Sequence, residues 1–402
     1  MAATDQVTKR AVHLDVGRLR AETPGCANVV HFNHAGASLI PQPVLDVVID
    51  HLQREAATGG YEAAHEAENR LEAVYDSIAR LISAKPHEIA VVENATRAWD
   101  MAFYAIPFQP GDRILTSVAE YASNVLAFLQ VAQRGVDVEV VPNDEYGQLS
   151  MTALATMLDH RVKLIAVSHM PTNGGLIQPA AAIGQLARAA GALYLLDACQ
   201  TVGQLPVDVE EIDCDMLSAT SRKYLRGPRG AGFLYVRESV IARLVPPFLD
   251  LHAARWVARD RYEIRPDARR FENWEANIAA KLGMGAAVDY ALALGLDAIW
   301  DRVHRQAALL RYQLSHIPGV TVHDLGEHKG GIVTFTVADH PAPAVVAALR
   351  SQSINTNTST IASTRYDMED RDLAELVRAS VHYITTDEEC TRLAEAVSTL
   401  PK

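Results

Sequence analysis

The strongest constraint on how this chain folds is an alternation that runs from residue 89 to residue 236. Short β-branched and aliphatic runs stand at 89–94 (IAVVEN), 113–118 (RILTSV), 138–143 (VEVVPN), 163–170 (KLIAVSHM), 192–198 (ALYLLDA), 215–219 and 233–236. Segments of helical periodicity separate them, at 97–106, 122–134, 151–159 and 179–190. Apolar runs this short read as strands, and strands alternating with helices require crossover connections. The expected class is α/β, with a mainly parallel seven-stranded sheet covered on both faces. In such a sheet the binding crevice lies at the carboxyl ends of the strands.

Residues 1–30 read as an N-terminal arm, followed by a Gly-containing turn in HFNHAGASLIP at 31–41. Pro41 suits the first position of a helix to about residue 58, Gly59 and Gly60 stop it, and a second helix is expected over about 63–83. The Arg-rich, aromatic stretch beyond 250 lacks clear periodicity, and helices are expected at 277–295 and 298–316. The expected organisation is a large domain over 31–275, with a helical segment 41–84 at its start, then a linking helix and a small α+β domain over 276–402. Within the latter, the polar run SINTNTSTIASTRYDM reads as the one long loop of the chain, and long loops between ordered elements tend to be functional.

Composition excludes several roles. A net charge of -12 over 402 residues argues against nucleic acid or an anionic membrane as partner. The four cysteines, Cys26, Cys199, Cys214 and Cys390, have neither CxxC nor paired spacing, so no metal site is expected and a reducing compartment suits them. The first residues, MAATDQVTKRAVHLD, lack a signal-peptide apolar region, and no run approaches a membrane span. A cytoplasmic protein is the expectation.

The strand ends carry complementary polar groups. Asn94, Ala95 and Thr96 open a helix and can offer backbone N–H groups and a hydroxyl to a phosphate, or simply cap it. Asn173 precedes two glycines after the 163–170 run. Asp197 comes straight off an apolar strand with Gln200 three residues on, and a buried carboxylate there needs a cationic partner. In DCDMLSATSRKYLRGPRGAGFLYV at 213–236, a strand leads through Thr220, Ser221 and Arg222 to Lys223; by itself this reads equally as a basic surface turn. Phosphate anchor, carboxylate, amide and lysine together are what pyridoxal 5′-phosphate requires.

From DACQTVGQ to GAGFLYV, and more widely from HFNHAGASLIP to LVRASVHYITTDEE, the chain resembles the class V, fold type I, pyridoxal-phosphate enzymes. That family contains cysteine desulfurases, isopenicillin N epimerase-like proteins and ergothioneine-pathway C–S lyases. The resemblance implies that Lys223 is the Schiff-base lysine, Asp197 the partner of the pyridine nitrogen and Gln200 the neighbour of the ring oxygen. It implies phosphate contacts from Ala95, Thr96 and Thr220, a cofactor-lining Asn173, and Arg378 on the substrate α-carboxylate, with Asn33 also at the substrate. It further implies a homodimer with shared active sites.

Departures from the family pattern carry information. AEYASN stands where desulfurases have a stacking histidine, so Tyr121 is expected over the ring, and Arg222 replaces a histidine and is expected near the phosphate. FENWEAN lacks the usual threonine that reaches a partner's phosphate, leaving Asn273 or Trp274 for that task. INTNTSTIASTRYD corresponds to the loop that bears the desulfurase nucleophile and has no cysteine. The expected substrate is a small amino acid, deprotonated at Cα by Lys223. β-Elimination from an S-substituted cysteine or its sulfoxide is the preferred outcome, with Tyr61, His252, Trp256, Thr364 and Arg365 available to hold the substituent. Epimerisation, transamination and decarboxylative oxidative deamination share every cofactor contact. A nicotinamide-dependent oxidoreductase is disfavoured because GPRGAG lies between two strands instead of opening a helix, and a non-catalytic protein of this fold is disfavoured by the intact lysine, Asp and phosphate loop.

Overall fold

The structure, a computed structural model, describes residues 14–400. Seven strands form the large sheet: β1 (Ile89–Val92), β2 (Arg113–Ser117), β3 (Asp137–Val141), β4 (Val162–Ser168), β5 (Leu193–Asp197), β6 (Met216–Thr220) and β7 (Gly232–Val236). Their order is β1-β7-β6-β5-β4-β2-β3, and only β7 runs antiparallel to its neighbours. Successive residues of β4 and β5 enter two different cores. Leu164, Ala166, Leu193 and Leu195 face one, while Ile165, Val167, Tyr194 and Leu196 face the other. Both faces are dry, so each strand reads as a continuous apolar run. The register pairs Ser168 with Asp197 and Asp197 with Ser218, which brings three strand ends to one level.

A four-stranded antiparallel sheet follows, built from β8 (Val320–Val322), β9 (Ile332–Val337), β10 (Asn357–Thr360) and β11 (Glu375–Ser380) in the order β8-β9-β11-β10. One hydrophobic core is continuous from Leu196 and Tyr194 under the large sheet to Phe335 and Val377 in the small one. The helices Ile278–Leu294 and Leu296–Ser315 contribute Met284, Val288, Val303 and Leu310 to that core. Residues from 14 onward join the small-sheet end. Arg20 bridges Glu389 at 2.9 Å, and Val30–His31 pairs in parallel with Ile354–Asn355. The arm's first thirteen residues lie outside the described ones. No single described helix is long and apolar enough to cross a membrane.

Three local expectations need correction, and one stretch without periodicity gains a structure. Pro41 is the N-cap of the helix Gln42–Thr58 and not its first residue. The second helix breaks at Ala67 into Gly60–Glu66 and Glu68–Ile82. The stretch after residue 250 contains an antiparallel hairpin, Ala254–Ala258 with Arg261–Ile264, whose exposed faces leave no apolar alternation to read. The run at 353–368 is no loop: it supplies edge strand β10 and the helix Arg365–Asp370. Threonine suits a pleated edge, and an edge strand tolerates polar side chains, so polarity there signals position in the sheet and not disorder.

Candidate active site

The carboxyl ends of β4, β5 and β6 surround a cavity of about 510 Å³. Among the expected residues, Ala95, Thr96, Tyr121, Asp197, Gln200, Thr220, Arg222 and Lys223 line it. The helix Ala95–Phe103 points its first turn at this cavity. Asn94 caps the helix, its Oδ1 accepting from the Arg97 N–H at 2.9 Å. First-turn N–H groups have no acceptor within a helix, so those of Ala95 and Thr96 are open to an anion at the cavity wall. Gly232 makes this approach possible: a Cβ there would stand 2.6 Å from the Ala219 carbonyl oxygen and 2.9 Å from the Asn94 carbonyl carbon.

Asp197 is buried at the end of β5, and burial pushes its carboxyl above the usual range. Two donors hold it: the Cys199 N–H reaches Oδ1 at 2.9 Å, and the Asn124 amide reaches Oδ2 at 3.2 Å. Lys223 lies in the turn after β6, with Nζ 3.2 Å from the Cys199 thiol. The turn is not the basic surface loop that its arginines suggest. Arg226 is buried, donating to the Leu39 carbonyl, Tyr383 and Thr23, and Arg222 donates to the Gly36 carbonyl while bordering the cavity. Gln200 donates to the Ala35 carbonyl at 3.3 Å, and its Oε1 is buried with no partner.

Several expected residues stand elsewhere. Asn173 does not border the cavity; its amide donates to Asp367 at 2.6 Å and its carbonyl accepts from Thr334, which ties the Arg365–Asp370 helix to the sheet end. Arg378, on β11, lies behind the lining residue Thr172, donating to its hydroxyl at 2.6 Å and to Asn33 Oδ1 at 3.3 Å. No carboxylate lies within salt-bridge distance of Arg378 among the described residues, its Nε is unpartnered, and burial lowers its pKa to about 10. Asn33 therefore sits beside Arg378, one layer from the cavity. Tyr61 is 77% exposed, Trp274 is 58% exposed and Arg365 pairs with Glu369 on the surface, so within one chain these three do not line the cavity.

The cavity also contains Asn124, Ser168, Met170, Thr172 and Cys199, which sequence reasoning did not select. Asn124 lies in AEYASN four residues after Glu120, a helical spacing that places the two side chains together and is the signal for it in the sequence. Cys199 adjoins Asp197 in DACQ, and only the strand register shows that its thiol meets Lys223.

A lysine at a strand end, a buried carboxylate, an unpartnered amide oxygen and a helix N-terminus suit a phosphorylated pyridine aldehyde. Residues 30–393 match the model of aminotransferase class-V, and the chain belongs to that family. It is similar to a cysteine desulfurase of Pectobacterium atrosepticum, 30% identical over 397 residues, covering 94% of this chain and 96% of that one. The apo structure of cysteine desulfurase from Thermococcus onnurineus NA1 superposes with a TM-score of 0.90 at 25% identity, over 96% of this chain and 97% of its own. The complex of the cystine C-S lyase C-DES with its product cysteine persulfide shares the fold, with a TM-score of 0.84 at 23% identity over 94% and 99%. The chain is a pyridoxal-phosphate-dependent enzyme of the class V fold.

Proposed function

We propose that the enzyme cleaves the Cβ–Sγ bond of an S-substituted L-cysteine or its sulfoxide by β-elimination. The observation that carries an amino-acid substrate is Arg378: a buried guanidinium without a carboxylate, one residue behind the cavity wall, is suited to an incoming α-carboxylate. Relatives named cysteine desulfurase support chemistry at a C–S bond.

Pyridoxal phosphate, when bound, supplies an electron sink conjugated to the substrate nitrogen. The chain's own residues do the rest. Lys223 would anchor the cofactor, and its free amine would take the Cα proton of the substrate; Arg378 and Asn33 would hold the carboxylate. Asp197 would keep the ring nitrogen protonated, and Gln200 would meet the ring oxygen. Ala95, Thr96, Thr220 and Arg222 hold the phosphate. Tyr121, on the cavity wall, would cover the ring, and Asn173 would act from behind through its hydrogen bond to Asp367. For a thioether substrate the net reaction consumes one water and releases a thiol, pyruvate and ammonia.

A homodimer belongs to the same proposal. Phe248, Leu251, Trp256, Tyr262 and Trp274 are each more than half exposed within the segment 248–274, which suits burial against a second copy whose Trp274 and Tyr61 approach the cavity rim. The substrate side chain would then also meet Arg365.

A second reading, a cysteine desulfurase, is favoured by Cys199, the one cysteine that lines the cavity. In that case a thiol takes the substrate sulfur as a persulfide and alanine is released. Incubation with L-cysteine and with S-alkylcysteines separates the two. Pyruvate, ammonia and free thiol in equal amounts support elimination. Alanine from L-cysteine, with no thiol from any S-alkylcysteine, overturns it in favour of desulfuration.

A further inference from the structure

Glu120 has no part in the roles above, yet its carboxyl is among the most heavily bonded groups near the cavity. It is 1% exposed and accepts from the Tyr121 N–H at 2.9 Å, the Ser168 N–H at 2.9 Å, the Ser168 hydroxyl at 2.5 Å, the Thr116 hydroxyl at 3.2 Å and the Asn124 amide at 2.8 Å. These donors come from β2, from β4 and from the N-cap and first turn of the helix Ala122–Ala132. Asn124 gives its other amide proton to Asp197 Oδ2 at 3.2 Å. One amide group thus bridges two buried carboxyls, and Asn124 itself borders the cavity.

A buried carboxyl used only to join strands is an expensive choice, since apolar side chains of similar size fill such a place at least as well. What an apolar group cannot do is fix the rotation of a neighbouring amide. Asn124 has two donors to place. With Glu120 taking one, the other is directed at Asp197, and the same carboxyl fixes the backbone of Tyr121 on the cavity wall. Burial pushes the Glu120 carboxyl up to about 7, and the hydrogen bonds from Ser168, Tyr121 and Asn124 hold it down against that push.

We propose that Glu120 and Asn124 are a positioning pair: Glu120 orients the Asn124 amide, which in turn holds the Asp197 carboxylate in the orientation that the ring nitrogen of the cofactor requires. Neither residue touches the reacting atoms, and the pair acts through Asp197. The inference rests on the role proposed for Asp197.

The test is a double-mutant cycle read on the bound cofactor and not on turnover. Pyridoxal phosphate is titrated into cofactor-free wild type, Glu120→Gln, Asn124→Ala and the double variant, recording the dissociation constant and the absorption band. Glu120→Gln preserves size but sets an NH2 against the Ser168 and Asn124 donors. Each single variant is expected to weaken cofactor binding roughly tenfold and to shift the band, because a buried donor or acceptor is left unmatched. The double variant should lose no more than the worse single one, since both act along one path. Losses that multiply in the double variant overturn the proposal. So does an unchanged band and affinity within twofold, even if thermal unfolding of the cofactor-free protein drops. Should Glu120→Gln fail to fold, Asn124→Ala decides alone by the same band and affinity. Asp197→Ala is the control: if it leaves both readouts unchanged, the Asp197 role itself has failed, whereas a change there without one in Asn124→Ala refutes only the pair.

Discussion

At the scale of single residues, the site divides into groups that sit next to each other in sequence and groups that only the fold assembles. Asp197, Gln200, Thr220 and Lys223 each end a strand or follow one closely, so apolar patterning was enough to place them at one edge of the sheet. The meetings of Asn124 with Asp197, of Thr172 with Arg378 and of Cys199 with Lys223 depend on which elements are neighbours, and no local pattern marks them. Two substitutions probe this scale. Lys223→Ala should leave no cofactor fixed to the chain by borohydride, read by intact mass, and should lower turnover on the order of 10²–10⁴-fold through loss of the proton carrier. Arg378→Lys keeps the charge but loses the two-pronged geometry. Steady-state kinetics should show KM raised roughly tenfold with kcat changed much less, because a contact to an unreacting carboxylate is made equally before and during reaction.

At the scale of elements, the large sheet was legible because both of its faces are buried and its strands are therefore apolar throughout. Elements with one wet side were not. Strand β10 is built from Asn357, Thr358, Ser359 and Thr360 and reads as a loop, and the hairpin at Ala254–Ala258 presents mostly exposed side chains. Their pairing partners, β11 and Arg261–Ile264, decide their conformation. The contact of the helix Ala95–Phe103 with β7 is an element-level feature that hangs on Gly232. Gly232→Ala forces a Cβ against the Ala219 carbonyl and the Asn94 backbone. It should destabilise the protein by about 1–3 kcal/mol in urea unfolding. Because the helix N-terminus must move, cofactor affinity should fall in the same variant.

At the scale of the whole molecule, one core spans both sheets, and buried imidazoles are set within it. Burial lowers the pKa of His169 to about 4 and drives those of His34 and His382 well below the usual value. Below about pH 6.5 the unfolded chain takes up protons that these folded histidines refuse, so their contribution to stability is intact above 6.5 and is lost as pH falls toward 4. Glu120, raised to about 7, acts in the opposite sense as it is protonated. His169→Asn isolates one histidine, retaining a polar group near Thr201, to which His169 Nδ1 lies at 3.1 Å. The stability advantage of wild type over this variant should shrink by about 3 kcal/mol between pH 6.5 and 4, measured as the difference in urea unfolding free energy. A difference that stays flat across that range would contradict a neutral buried His169.

The sequence by itself determined the parallel α/β core and the placement of Lys223, Asp197 and Gln200 at one edge of the sheet, where they line one cavity. These follow from short runs that are apolar throughout because both faces of the sheet are buried, and from polar residues placed just beyond those runs, both of which are written locally in the chain. Only the tertiary structure decided that Arg226 is buried and Arg365 exposed, that Cys199 meets Lys223, and that one amide of Asn124 joins Glu120 to Asp197. Those relations join residues as far apart as Thr23 and Arg226, 203 positions along the chain, and the order in which elements pack, which hydrophobic patterning leaves open, is what sets them.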